Sequence, residues 1–464
     1  MRATQSWMTG MPCLLFFQRL FVVQLICLTF FQPATIQAKQ IQLDVALAHP
    51  TMLLNDDEKS ENHLRISLKG FDLEDKAKRA PVNLAIVIDR SGSMQGDKIE
   101  HARQAAMQAI DRLRDEDIVS VVTYDTSVEV LVPATKARDR EEIKQRIARI
   151  TARGNTALHA GVSKGAAEVR KFHGEKRVNR VILLSDGLAN VGPSSPSELG
   201  QLGRSLMQEG ISVSTMGLGL AYNEDLMSNL AQQSGGNHTF IEDADNLVAV
   251  FQREFDDVMS VVAQKIKIRV KLADGVRPVK VLNQPDSVDG QLVSIELAQL
   301  VSRQERYFVI ELEIAHGKSG SSRPVAEVAV EYKNAITDTQ DKLTHSVEAK
   351  FTDSKHVAEA AVNKAVLASC VLQIANERNR LATEKRDNGD VDGAARILQD
   401  NAAYLEQNYR QLGSEELKRR SELNAAQAGG LSDKDWNRNR KSMRETQAAD
   451  AAQQTYSGAG TKNP

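Results

Sequence analysis

Between about Pro81 and Met259, four short and almost uninterrupted apolar runs, NLAIVID, IVSVVTY, RVILLSD and ISVSTMG, alternate with longer segments of helical period. A sheet with one wet face shows apolar-polar alternation, whereas a run that is apolar at nearly every position must be covered on both sides. The intervening segments supply the covers. Ile99, Ala102, Ala106, Ala109 and Leu113 recur at spacings that place them on one helix face. The pattern predicts an α/β domain over 82–261, a doubly wound and mostly parallel sheet with helices on both faces.

The flanks read differently. Residues 39–81 hold two alternating stretches, IQLDVALA and HLRISLKG, around the polar run NDDEKSEN. Two strands cannot stand alone. Residues 262–352 return to alternation without helices, in KIKIRVKL, LVSIELAQL, RYFVIELEI and VAEVAVEYK. The expected topology is a β-sandwich built from both flanks, with the α/β domain inserted in it. Residues 353–446 are expected to be helical. Val391, Ala394, Ala395, Leu398, Ala402, Leu405 and Tyr409 form one stripe, which follows a longer segment from about Lys355 to Glu384, so a C-terminal helical hairpin is predicted. Cys370 lies in its first helix and reads as a buried, inert thiol. Lys418, Arg419, Arg420, Lys434, Arg438, Arg440, Lys441 and Arg444 are interleaved with acids and read as a solvated face, with Trp436 among them either an anchor or packed on the body. Residues 447–464 are expected to be a disordered tail.

Arg2 and Arg19 are the only charges in residues 1–38, and the apolar run LFVVQLICLTFFQ precedes a small residue, Ala38. This reads as a signal peptide spanning 1–38, which makes the remainder exported: periplasmic, on the cell surface or secreted. The alternative is an uncleaved anchor from Met11 to Phe31, the one route by which the chain would meet a membrane. Cys13 and Cys27 lie inside the segment, so Cys370 is left without a disulfide partner. With 59 Lys+Arg against 61 Asp+Glu and a formal charge of −2, the chain lacks the basic excess that nucleic-acid binding exploits.

The first apolar run ends in Asp89-Arg90-Ser91-Gly92-Ser93, and RVILLSD runs into Ser185-Asp186-Gly187. In a doubly wound sheet these ends lie on one edge, where the ligand crevice forms. Arg153-Gly154-Asn155-Thr156 falls in a connection that reaches the same edge. Two carboxylates and three hydroxyls thus converge, all of them hard oxygen donors. Such a set suits Mg²⁺ or Mn²⁺ rather than zinc or copper. Two carboxylates at most neutralise the ion and hydroxyls add no charge, so the metal stays able to accept an anionic oxygen from outside.

Asp89-x-Ser91-x-Ser93, then Thr156 in a glycine-containing loop, then Asp186 in LLSDGLANVG, resemble the metal-ion-dependent adhesion site of von Willebrand factor type A domains. The resemblance covers about residues 82–260 and extends through GLGLAYNEDLMSNLAQQSGGNHTFIEDADNL. The flanking strands and helical C-terminus look similar to bacterial exported proteins of this family and to the inter-alpha-trypsin inhibitor heavy chains. The resemblance implies that Ser91 and Ser93 ligate the cation directly. Asp89, Asp186 and Thr156 would do so directly or through water, and a partner protein's carboxylate would complete the shell. Asp125, in TYDTSV at another strand end, is either a support for this site or an ordinary loop acid.

Enzyme readings fare worse. A phosphotransferase of the haloacid dehalogenase type would need a second aspartate where Ser91 stands. Ser91-Gly92-Ser93 is not a nucleophile elbow, no Gly-x4-Gly-Lys-[Ser/Thr] loop is present, and His159, near Thr156, reads as a surface residue. The expectation is therefore a non-enzymatic, metal-dependent protein-binding module. The alternative is a structural envelope scaffold whose metal site takes no ligand.

Overall fold

The computed structural model describes residues 40–54, 59–74, 78–174, 176–283 and 287–456. The signal assigned to 1–38 lies outside them, as does the end of the chain from 457. The strands are β1 (Gln42–Leu47), β2 (Thr51–Leu53) and β3 (Lys59–Lys69), followed by the α/β domain. That domain runs β4 (Val82–Asp89), α1 (Asp97–Asp111), β5 (Ile118–Tyr124), β6 (Val128–Lys136), α2 (Arg140–Ile147), α3 (Leu158–Arg170) and β7 (Val178–Ser185). It continues with α4 (Pro196–Gln208), β8 (Ile211–Leu218), α5 (Glu224–Ser234), β9 (His238–Ile241) and α6 (Leu247–Met259).

The sheet order is β6-β5-β4-β7-β8-β9, parallel throughout except for β6, which runs antiparallel to β5. Every residue of β4, β5, β7 and β8 is buried. The pleat divides them between two cores. Leu84, Ile86 and Ile88 pack with α1 and α6, while Ala85 and Val87 pack with α3, α4 and α5. Each of these leucine, isoleucine and valine side chains contributes roughly 1.5–3 kcal/mol relative to exposure. The order reverses between β4 and β7, so the crevice of a doubly wound sheet opens at their carboxyl ends. Arg79 enters the domain as a bidentate partner of Asp117, whose side chain is 0% exposed.

The sandwich follows in β10 (Val261–Leu272), β11 (Val276–Val281), β12 (Val288–Asp289), β13 (Leu292–Val301), β14 (Gln304–Ala315), β15 (Ser322–Asn334) and β16 (Gln340–Thr352). One sheet has the order β1-β3-β14-β11 and the other β12-β13-β10-β15-β16-β2. Strands from before the α/β domain therefore sit in both sheets, as the insertion requires. Beyond Lys265, β10 alternates exposed and buried residues, and Ile266, Ile268, Val270 and Leu272 meet Leu64, Ile66 and Leu68 of β3 in one core. Only Ser260 separates α6 from β10.

The C-terminal region is larger than a hairpin. After α7 (Lys355–Ala360) come α8 (Lys364–Asp387), α9 (Val391–Leu412), α10 (Glu415–Gly429) and α11 (Asp433–Ala451). Helix α9 packs on α8 and α10, and α11 returns to α8. Part of this interior is polar and so escapes an apolar periodicity. Asn401 donates to Asn379 (2.8 Å), Asn379 to Asn424 (3.0 Å), and Gln447 to Thr383 (2.8 Å).

Nor does disorder begin at 447. Helix α11 continues to Ala451, and β17 (Gln454–Tyr456) pairs antiparallel with β14. The buried Gln453 donates to Leu282 O (2.9 Å) and Gln373 Oε1 (3.0 Å), partners that a polar, alanine-rich sequence does not announce.

The basic cluster is not simply a solvated face either. Lys441 is 1% exposed on Glu224 (2.5 Å), Arg438 pairs with Glu242 (2.6 Å), and Arg444 with Asp225 (2.9 Å). Trp436 packs on the body beneath Arg386, and Cys370 is buried, its thiol pushed up to about 12 by desolvation.

Candidate functional site

Strand β4 delivers Asp89 to the crevice with its side chain fully buried. Its Oδ1 accepts from Ser91 N at 2.8 Å and its Oδ2 from Ser185 Oγ at 2.6 Å. Burial raises its pKa to about 6; the Ser185 and Ser91 hydrogen bonds oppose that rise and the charge of Asp186 adds to it. Asp186, one residue beyond β7, is also buried. Its Oδ1 accepts from Ser93 Oγ at 2.6 Å and its Oδ2 from Lys98 Nζ at 2.5 Å. The Ser91 and Ser93 hydroxyls stand 3.0 Å apart.

Thr156 arrives from the loop before α3 and is pinned by Asn190, whose Oδ1 accepts from Thr156 N at 2.9 Å. The Thr156 carbonyl in turn accepts from Asn190 N (3.2 Å) and Val191 N (3.3 Å), just before the capping box of Ser195 and Glu198 that starts α4. The three hydroxyls surround Gly187. A Cβ on that residue would stand 2.9 Å from Thr156 Oγ1, 3.3 Å from Ser93 Oγ and 3.7 Å from Ser91 Oγ. A glycine at this point keeps open a small space lined by neutral oxygens, with Asp186 joined through Ser93 and Asp89 behind.

The donor set fits a hard divalent cation. Hydroxyl and carboxylate oxygens converge without nitrogen or sulfur, and the space they enclose is one that a single methyl group would fill. Among the described residues no group of three or more His, Cys, Asp or Glu side chains gathers, so a zinc-type cluster has no counterpart there.

Asp125 acts one layer back. Its Oδ2 accepts from Arg90 Nε (2.9 Å) and Arg153 Nε (3.2 Å), and its carbonyl from Ala157 N (2.9 Å). Arg153 N also donates to Arg90 O (2.6 Å) and Gly92 N to Gly154 O (3.0 Å). The aspartate thus ties the Ser91 loop to the Thr156 loop and supports the site by position. Asp125→Ala is expected to weaken Mn²⁺ binding about tenfold, the order seen when a group supporting ligands is removed. Isothermal titration calorimetry measures it, and an unchanged affinity would mean that the backbone bonds suffice.

His159 is half-buried. Ser185 and Lys98 are the contributors that motif reading passes over. For Lys98 a signal exists, a cation in the first turn of a helix that begins at the crevice; for Ser185 there is none, because a serine ending a buried strand is ordinary.

A family model for the von Willebrand factor type A domain matches residues 83–253. An uncharacterized protein of Synechocystis is 27% identical over 359 residues, covering 73% of this chain and 82% of its own length. Inter-alpha-trypsin inhibitor heavy chain H3 of the rat is 30% identical over 165 residues, which are 34% of this chain but only 18% of that protein. Among solved structures, a von Willebrand factor type A protein from Catenulispora acidiphila superposes with a TM-score of 0.65 at 18% identity, covering 81% of this chain and 89% of that one. At that identity the likeness concerns the fold.

Proposed function

We propose that this chain, whose residues 83–253 match the von Willebrand factor type A domain, is an exported, non-enzymatic protein-binding module whose ligand is taken through a divalent cation. Ser91, Ser93 and Thr156, with Asp89 and Asp186, would hold Mg²⁺ or Mn²⁺, and a bound cation supplies a Lewis-acidic position for an acidic side chain of a partner protein. The observation that carries the reading is the convergence of three hydroxyls on Gly187. Two carboxylates at most neutralise the ion and the three hydroxyls add no charge, so the ion can still accept an incoming anionic oxygen.

The face around the site suits protein docking. Leu188, directly after Gly187, is 58% exposed, and Leu220, two residues beyond the adjacent strand β8, is 38% exposed. Exposed apolar groups beside a polar anchor are what a protein interface covers.

Capture of partners from the organism's envelope fraction, followed by mass spectrometry, tests the reading. Binding is expected with Mg²⁺, and is expected to vanish with EDTA and with Ser91→Ala/Ser93→Ala. If the double variant and the EDTA-treated chain capture the same partner equally well, the metal-dependent reading fails. The chain would then be a scaffold that binds through another surface.

A further inference from the structure

Lys98 is the second residue of α1, where the helix's free amides present partial positive charge and a cation is disfavoured. Its neighbours in that turn, Asp97 and Glu100, are of the kind the position favours. A local preference broken beside a crevice marks a residue placed there for another reason. The reason is visible in its contact: Nζ lies 2.5 Å from Asp186 Oδ2, with the Asp186 side chain 0% and the Lys98 side chain 32% exposed. The ammonium also lies 3.7 Å from where a Cβ of Gly219 would stand, so it spans the ends of β7 and β8.

We propose that Lys98 is a tethered counter-ion that occupies Asp186 in the metal-free chain and yields it to a divalent cation, thereby setting the affinity of the site. The inference rests on the metal reading above. A buried carboxylate without a counter-charge is costly, so the metal-free fold needs this ammonium. The same ammonium, on Oδ2, repels a cation arriving at the hydroxyl side, where Oδ1 faces Ser93, and competes with it for the charge of Asp186. A lysine is suited to that exchange: its charge is compact and strongly hydrated, its stem is flexible, and here a third of the side chain already meets solvent. Two consequences have opposite sign. Removing the charge should tighten cation binding and should weaken the cation-free fold.

The experiment compares the wild-type chain with Lys98→Gln and Lys98→Arg by titration calorimetry with Mn²⁺ and by thermal unfolding in EDTA and in saturating Mn²⁺. Lys98→Gln is expected to bind Mn²⁺ at least tenfold more tightly. Its unfolding midpoint should fall below the wild-type value in EDTA and recover in Mn²⁺, while Lys98→Arg stays near wild type in both. Equal or weaker Mn²⁺ binding by a Lys98→Gln chain with native circular dichroism overturns the proposal while leaving the metal site standing. If neither the wild type nor any variant binds Mn²⁺ or Mg²⁺, the metal reading itself falls, and this inference with it.

Discussion

Gly187→Ala is expected to abolish divalent-cation binding while leaving the fold intact, although the substitution removes no ligand. The added methyl would lie 2.9 Å from Thr156 Oγ1 and 3.3 Å from Ser93 Oγ, and the first of these is closer than carbon and oxygen tolerate without displacement. Gly187 is absent from the residues with positive φ, so alanine meets no backbone strain, and its cost falls on the hydroxyls. Thr156 is anchored through its backbone to Asn190 and Val191, which leaves the side chain as the part that must turn away. A donor turned away from the centre no longer counts in the shell. A weakening of at least about 100-fold is expected, about 2.7 kcal/mol. Titration calorimetry with Mn²⁺ gives the affinity, and thermal unfolding in EDTA, expected to stay within a few degrees of wild type, serves as the folding control. A Gly187→Ala chain that binds Mn²⁺ like wild type would mean that the cation, if bound, does not sit among these hydroxyls.

The second large effect lies away from the crevice, where α11 docks on the α/β domain. Glu224→Ala is expected to lower the free energy of opening α11 by about 3–5 kcal/mol, the range for breaking one side of a buried ion pair. Lys441 Nζ donates to Glu224 Oε2 (2.5 Å) and Tyr222 O (2.7 Å) and lies 4.1 Å from the centre of the Tyr222 ring. Arg440 takes the other oxygen of Glu224 and also holds Asp225 (2.6 Å) and Asp387 (2.9 Å). Without Glu224, an ammonium that is 1% exposed keeps only a carbonyl and a ring.

Burial already lowers the pKa of Lys441 despite Glu224, and removing the acid lowers it further. A lysine whose folded pKa lies below its unfolded value binds fewer protons when folded. Stability therefore rises with pH between the two values, and the deficit of Glu224→Ala should shrink as pH climbs toward about 10.4. Native-state hydrogen exchange over residues 433–451 reads the opening directly. Adding Lys441→Met should restore much of the loss, because the buried ammonium is then gone and Arg440 keeps Asp225 and Asp387. Unchanged exchange in Glu224→Ala would show that the network contributes nothing to docking.

The legible parts of the fold are those in which burial is encoded locally. Strand β4 is apolar because both its faces are covered, and VNLAIVID shows that without reference to any other residue. Strand β6 has the opposite character. It lies at the sheet edge with a single buried residue, Val132, and contains Pro133, so its sequence resembles a connection. The short β2 likewise gains its identity from pairing with β16, about 300 residues away. In the C-terminal region, the asparagines and glutamines of the interior look solvated until the facing helices present amide and hydroxyl oxygens to them.

The candidate site divides along the same line. Asp89, Ser91 and Ser93 lie within five residues, and Thr156 and Asp186 follow in segments whose placement at the strand ends can be read from the alternation of strand and helix. Their chemistry as hard oxygen donors is a property of residue type, independent of the surroundings. Lys98, Ser185 and Asp125 differ in that each matters through what it touches. Lys98 and Asp186 are 88 residues apart, as are the basic residues of α11 and the acids of α5 by more than 200. A charge reads as solvated in a sequence because water is the default partner, and only packing replaces water with one particular carboxylate. Local periodicity and donor chemistry thus suffice for the α/β architecture and for naming the candidate oxygen donors. The counter-ion, the loop tether and the docking of α11 arise from long-range proximity, which one-dimensional order does not contain.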